Sequence, residues 1–363
     1  MSEHNQLGLA VSSKRVAPDP VLTTLATTTQ RQRVVDVAES LRNMRDWLAD
    51  DLADLEDAIQ GTVTDPQSDL AWRAADYFLT RAGKRVRPIC TLLAARMGGR
   101  IMDHAVKQVA ISAELVHSAT LLHDDVIDQG DERRGQKTAR VIYGNAASVL
   151  GGDHLLVDAL RRVNTVDPRL MGSLIEIIGS MVHAEALQLE LRKGFRPDRR
   201  MYLQVVEGKT AALFGWALEA GALVGGLSEK EIRALKGVGL NLGMTFQLVD
   251  DMLDVCGDPR ETGKDACLDL QEGKLTWPTI IAAETSPELL MRLKSFASSA
   301  TEPTEDDRQR LVADLQATGA VEETRAEAQR YAKRAHKELA FLPKSQAREA
   351  LSAVVDAALK RTR

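Results

Sequence analysis

With 363 residues and 44% apolar side chains, the chain can bury a large core, as one big domain or two ordinary ones. Its net charge of −5 offers no electrostatic reason for a nucleic-acid partner. Cys90, Cys256 and Cys267 lack metal-ligand spacing, which argues against a zinc site or a disulfide framework and fits a reduced, cytoplasmic setting.

Residues 1–30 contain Ser, Thr, Gln and Pro without a period and read as a flexible tail, leaving 31–363 as the folded domain. The first residues, MSEHNQLGLAVSSKR, lack the apolar stretch of a signal peptide. From Val34 onward, Val37, Leu41, Met44, Leu48, Leu52, Leu55 and Ile59 recur at steps of three and four, one stripe of an α-helix. Loops are predicted at 61–69, 128–138, 192–200 and 256–274. Ser228 with Glu231 predicts a capping box opening a helix, and Thr304 with Asp307 a second one. Val321, Thr324, Ala328, Ala332, Ala335 and Leu339 form a late stripe of mostly small residues. No apolar run reaches about 18 residues, so no transmembrane helix is expected. Aromatics make up only 4%, no Asn-Gly hairpin signal appears, and strands do not alternate with helices. The expectation is a single all-α domain.

Two stretches carry the chemistry. LLHDDVIDQGDERRG (121–135) sets Asp124, Asp125 and Asp128 beside apolar residues, and QLVDDMLDV (247–255) repeats the pattern with Asp250, Asp251 and Asp254. At i, i+1 and i+4 on a helix, the three carboxylates of a cluster reach toward one cavity. Unpaired, they would repel and their pKa values would rise. Mg²⁺, a hard cation that takes one or two carboxylates plus substrate phosphates and water, is the natural remedy. One such cluster alone reads as a solvated helix face; two with apolar flanks do not. Basic residues surround them: Lys84, Arg85 and Arg87 before the first cluster, Arg133 and Arg134 after it, then Lys209, Lys264 and Lys274, a set suited to diphosphates.

Together these residues resemble the trans-isoprenyl diphosphate synthase (polyprenyl synthetase) family. The similarity runs from about residue 70 to the end through GKRVRP, DDVID with RRG, GNAASVLGGDHLL, EALQL, GKTAALF, DDMLD and DLQEGKLTWP, in family order. The resemblance implies roughly a dozen helices around a deep cavity, a homodimer, and three Mg²⁺ ions gripping an allylic diphosphate. It implies direct ligation by Asp124, Asp128 and Asp250, with Asp125, Asp251 and Asp254 acting through water or as supports. Arg133, Lys209 and Lys264 would meet the allylic diphosphate, with Lys274 as a further substrate contact. Lys84, Arg87, His117 and Arg134 would hold isopentenyl diphosphate, and Lys209, Thr210 and Gln247 would face the allylic cation. His123 and Asp153 read as structural.

In short-chain members an aromatic residue four or five positions before the first motif blocks elongation. Here those positions are Thr120 and Ala119, with no aromatic in the turns below, which implies a medium- or long-chain product. A farnesyl or geranylgeranyl synthase, a class I terpene cyclase and a non-catalytic subunit of a heteromeric synthase are the alternatives. The second aspartate cluster argues against the cyclase, and six intact aspartates argue against the non-catalytic subunit. Cys267 stands where the family commonly has Gly, Trp277 where an aliphatic is common, and His154 where Tyr is common.

Overall fold

The computed structural model describes residues 35–63, 69–81, 83–133, 135–257, 266–299 and 301–361. Its elements in order are α1 (Val35–Trp47), α2 (Ala49–Gln60), α3 (Leu70–Leu79), α4 (Val86–Met97) and α5 (His104–Ile127). A two-stranded hairpin follows, β1 (Glu132–Arg133) and β2 (Gln136–Lys137), then α6 (Ala139–Tyr143), α7 (Asn145–Asn164) and α8 (Pro168–Gly194). Next come α9 (Arg199–Val206), a π-helical turn (Glu207–Ala211), α10 (Ala212–Val224) and α11 (Glu229–Cys256). The chain continues with α12 (Leu268–Gln271), α13 (Trp277–Thr285), α14 (Pro287–Ala297), α15 (Glu305–Ala317), α16 (Ala320–Leu339) and α17 (Gln346–Lys360).

The first stripe spans two helices rather than one. Leu48 leaves helical geometry (φ −101°, ψ 10°), yet hydrogen bonds run through it from Leu48 N to Met44 O and from Leu52 N to Leu48 O. The stripe therefore bends without breaking, and Val37, Leu41, Met44, Leu48, Leu55 and Ile59 are all buried; Val34 lies outside the described residues. Both capping boxes form, at Ser228–Glu231 and Thr304–Asp307. The small-residue stripe of α16 is buried throughout.

Three loop expectations need correction. The 128–138 segment holds a β-hairpin: its strands are two residues each, too short for an alternating pattern, and Gly135 at φ +70° supplies the turn. The 192–200 segment is helical through Gly194, and the 256–274 segment contains α12. By length and composition alone, α8 is also long and apolar enough to cross a membrane. Leu170, Leu174, Met181 and Ala184 bury one of its faces, while Ile175 and Val182 remain exposed.

The helices that frame the site pack at close range. α7 runs antiparallel to α5, since Ser148 Oγ donates to Leu122 O at 3.0 Å and Ser112 Oγ to Ala159 O at 3.1 Å. A Cβ at Gly152 would stand 2.3 Å from the imidazole of His123, so a glycine is required there. That ring instead meets Val149 O at 3.0 Å and Asp153 at 3.4 Å, the structural role expected of both residues. α11 is shared between two apolar clusters. Its lower half, with Leu235, Val238 and Leu242, joins the core of α4, α5, α7 and α10. Its upper half, with Met244, Leu248 and Met252, joins Tyr202, Trp277, Ile280 and Leu315.

Candidate active site

The first aspartate motif closes the C-terminal end of α5. Asp124 and Asp128 lie one turn apart, as the i and i+4 spacing requires. Asp128 has both oxygens engaged: Arg192 Nη1 donates to Oδ1 at 2.8 Å and Lys274 Nζ to Oδ2 at 2.7 Å. Burial works against its ionisation, yet Lys274, with Lys209 and Arg192, holds its carboxyl below the usual range. Asp124 is more deeply set, and burial raises its pKa despite Lys209 Nζ at 3.4 Å. Asp125 points elsewhere, accepting from Arg133 Nε at 2.9 Å and Nη2 at 2.8 Å.

Lys209 sits in the π-helical turn. A π turn carries one more residue than an α turn and often marks functional sites. Here it lets consecutive side chains serve different neighbours. Lys209 Nζ pairs with Glu185 of α8 and donates to Gln188 Oε1 at 3.1 Å, besides approaching Asp124. Burial opposes its charge, but Asp124 and Glu185 outweigh that and raise its pKa. Thr210 Oγ1 turns to α11, donating to Gln247 Oε1 at 2.9 Å, and Gln247 Nε2 donates to Asp251 Oδ1 at 2.9 Å. Two neighbouring residues of one turn thus reach the two motifs, Lys209 the first and Thr210, through Gln247, the second.

In the second motif Asp251 is fully enclosed. Tyr202 OH donates to its Oδ2 at 2.5 Å and the Trp277 backbone N–H at 3.1 Å. Burial, with Asp269 nearby, pushes its pKa up to about 7. Asp254 caps α12, accepting from Leu268 N at 3.1 Å. Asp250 is half-exposed and pairs with Arg361 Nη2 at 2.7 Å.

The basic segment before α4 divides its labour. Arg85, assigned no role from sequence, is buried in left-handed geometry (φ 43°) and donates to Glu114 at 2.7 Å, to Glu56 at 3.0 and 3.1 Å, and to Leu79 O at 2.9 Å. Arg87 lies over the Phe214 ring, 4.3 Å from its centroid, with its buried Nε unpaired among the described residues, and burial drives its pKa down to about 10. Lys84 precedes it, and His117 lies half-buried on α5, seven residues before Asp124. Ala119 is fully buried and Thr120 Oγ1 donates to His117 O at 2.8 Å. Arg134 and Lys264 lie outside the described residues.

Arg133 is thus drawn to Asp125, and Lys274 joins the first motif rather than standing apart. Four residues that sequence reasoning gave no role also enter the site: Glu185, Gln188, Arg192 and Tyr202. The EALQL match contained the first two without saying what they touch. Arg192 was masked by a neighbourhood that reads as loop, with Gly194 and Pro197 close by.

By chemistry the acidic side chains suit a hard divalent cation, although, paired with cations as they stand, no three of them are gathered on one point among the described residues. The acidic side chains offer oxygen only, and buried Asp125 Oδ2 and Glu185 Oε1 have no hydrogen-bond partner among the described residues. Lys209, Lys274 and Arg192 stand directly on the carboxylates that a metal would otherwise neutralise.

Residues 69–315 match polyprenyl synthetase. The chain belongs to the polyprenyl synthetase family. Heptaprenyl diphosphate synthase component 2 of Geobacillus stearothermophilus is 34% identical over 85% of this chain and 95% of its own length. The short chain isoprenyl diphosphate synthase of Methanothermobacter thermautotrophicus is 33% identical, over 84% of this chain and 95% of its own. Among solved structures, a polyprenyl synthase from Caulobacter crescentus complexed with calcium and isoprenyl diphosphate superposes with a TM-score of 0.81 at 34% identity. That match covers 88% of this chain and 97% of the other. This polyprenyl synthetase is therefore a prenyltransferase with the all-α isoprenoid synthase fold.

Proposed function

We propose that the enzyme condenses an allylic diphosphate with isopentenyl diphosphate, head to tail, into a trans-polyprenyl diphosphate longer than 20 carbons. The observation that carries the reaction is the convergence of Lys209 and Lys274 on the first aspartate motif, with Thr210, next to Lys209, tied through Gln247 to the second. Asp124 and Asp128 on one side and Asp250 on the other would hold three Mg²⁺, with Asp125, Asp251 and Asp254 as supports. The calcium in the Caulobacter relative agrees with a divalent ion on this fold. Bound ions would supply positive charge to the departing pyrophosphate and so ease cleavage of its C–O bond.

The chain's own groups do the rest. Lys209, Lys274, Arg133 and Lys264 would orient the allylic diphosphate once ions take over the carboxylates. Lys84, Arg87, His117 and Arg134 would hold isopentenyl diphosphate, leaving its double bond facing the allylic carbon. The oxygens of Thr210 and Gln247 would stabilise the allylic cation, and the apolar wall of α5 would keep water from it. The proton lost after attack goes to pyrophosphate, so no side-chain base is required.

Chain length rests on Ala119. Relatives of nearly equal identity carry both long- and short-chain names, whereas α5 below Asp124 presents Ala119, Val116, Leu115 and Ser112, and no aromatic. Chromatography of products made from isopentenyl diphosphate, a farnesyl starter and Mg²⁺ tests this, and products ending at 20 carbons or fewer refute it. The component 2 name of two relatives raises a heteromeric arrangement as a second reading; turnover by the chain alone would exclude an obligatory partner. Exposed Val141, Ile142, Val149, Leu150, Val157, Ile175 and Val182 on α6, α7 and α8 support a homodimer, which light scattering of the purified chain would detect.

A further inference from the structure

Arg361, just beyond α17, has no counterpart in the reading above. It is only 4% exposed, and its Nη2 donates to Asp250 Oδ1 at 2.7 Å and to Phe246 O at 2.5 Å. Its guanidinium carbon lies 3.8 Å from the centroid of the Phe246 ring. A cation is stable away from water only where its neighbours replace the hydration it gave up. This replacement is incomplete, because buried Nε has no hydrogen-bond partner among the described residues. Arg361 is therefore seated by Asp250, Phe246 O and the Phe246 ring, but with one donor unanswered.

Its partner opens the second aspartate motif. Asp251 is saturated by Tyr202, Gln247 and Trp277, and Asp254 caps α12, so Asp250 is the motif's accessible carboxylate, with its side chain 49% exposed. A carboxylate that keeps a guanidinium at 2.7 Å and also ligates a divalent ion at about 2.1 Å holds two cations within a few ångströms, where they repel each other, so the two compete for Asp250.

We propose that Arg361 is a resident counter-cation of Asp250 that a divalent ion must displace, so that loading of the second motif frees Arg361 and the last turn of α17. The inference rests on Asp250 being a metal ligand. The release is confined to that turn, because Val354, Val355, Ala357 and Ala358 anchor the helix in the core. Arg361 is on this view a positioning residue, setting how readily Asp250 accepts an ion.

Mn²⁺ titration of the metal-free full chain, following the electron paramagnetic resonance signal of free Mn²⁺, tests it. Removing a competing ion pair at a half-exposed carboxylate should tighten binding at one class of site about two- to fivefold in Arg361→Ala. Arg361→Lys should lie between the variant and the wild type. In the unmodified chain, hydrogen exchange of the peptide covering 357–363 should quicken when Mn²⁺ is added, and Asp250→Asn should abolish that response. Equal Mn²⁺ affinity with and without Arg361, or exchange in the wild type that ignores Mn²⁺, overturns the proposal while leaving the metal reading standing. Absence of Mn²⁺ binding by wild type and variants alike overturns the metal reading together with it.

Discussion

Glu114→Ala should be the most destabilising single change among the charged residues near the site. Glu114 is buried on α5 and accepts from Arg85 Nη1 at 2.7 Å, both side chains being 6% exposed. Burial works against the charge of Arg85, and Glu114 with Glu56 more than restores it. Removing one partner of a buried pair leaves an uncompensated charge and costs about 3–5 kcal/mol. Glu56, 27% exposed, still accepts two guanidinium bonds, which favours the lower end of that range, about 3 kcal/mol. Glu56→Ala acts at the wetter position and leaves the closer Glu114 in place, so it should cost about 1 kcal/mol. Guanidinium-induced unfolding measures both values. The same network fixes a left-handed backbone at Arg85 between Lys84 and Arg87. Glu114→Ala should therefore also raise KM for isopentenyl diphosphate more than KM for the allylic substrate. A loss below 1 kcal/mol for Glu114→Ala, or equal losses for the two glutamates, would refute the reasoning.

Ala119→Phe should shorten the products to 20 carbons or fewer, at an overpacking cost of about 1–3 kcal/mol; an unchanged product ladder on reversed-phase chromatography would show that α5 does not set length. Asp251 titrates near 7 in the folded protein, against about 4 for an unfolded aspartate, so the native state binds this proton more tightly. Its contribution to stability is complete below pH 4 and lost as pH rises toward 7, so Asp251→Asn should flatten that part of the stability profile in thermal melts between pH 4 and 8. Cys267 is buried at φ +61°, a conformation costing a non-glycine residue about 1–2 kcal/mol. Cys267→Gly should unfold within about 1 kcal/mol of wild type in guanidinium, since relief of strain offsets the lost thiol contacts, whereas β-branched Cys267→Val should cost more than about 2 kcal/mol.

Local patterns in the sequence predicted local features of the fold. Steps of three and four located the helix stripes because a helix face repeats within the chain itself, and the capping boxes at Ser228 and Thr304 close within three residues. The β-hairpin at Arg133 escaped notice because strands of two residues have no period to read. Site partners were hidden for another reason. Lys274 meets Asp128 across 146 residues, Arg192 meets it across 64, and Tyr202 meets Asp251 across 49. Nothing in the flanks of either member announces such a pairing. Even within GKRVRP, three basic residues of similar appearance part company. Arg85 goes into the core because Glu114 and Glu56 wait there, and those acids read as ordinary helix charges.

The widened turn at Glu207–Ala211 has an evolutionary consequence. Because the turn absorbs its extra residue, deletion of one position there would restore an ordinary helix and leave the later side chains of α10 where they are. Phe214, Trp216 and Leu218, all fully buried, would keep their contacts, and the loss would fall on the turn itself, where Lys209 and Thr210 serve separate helices. The core beneath the site therefore tolerates a change of length that the site does not: it is the division of labour between Lys209 and Thr210, not packing, that holds the extra residue in descendants of this chain.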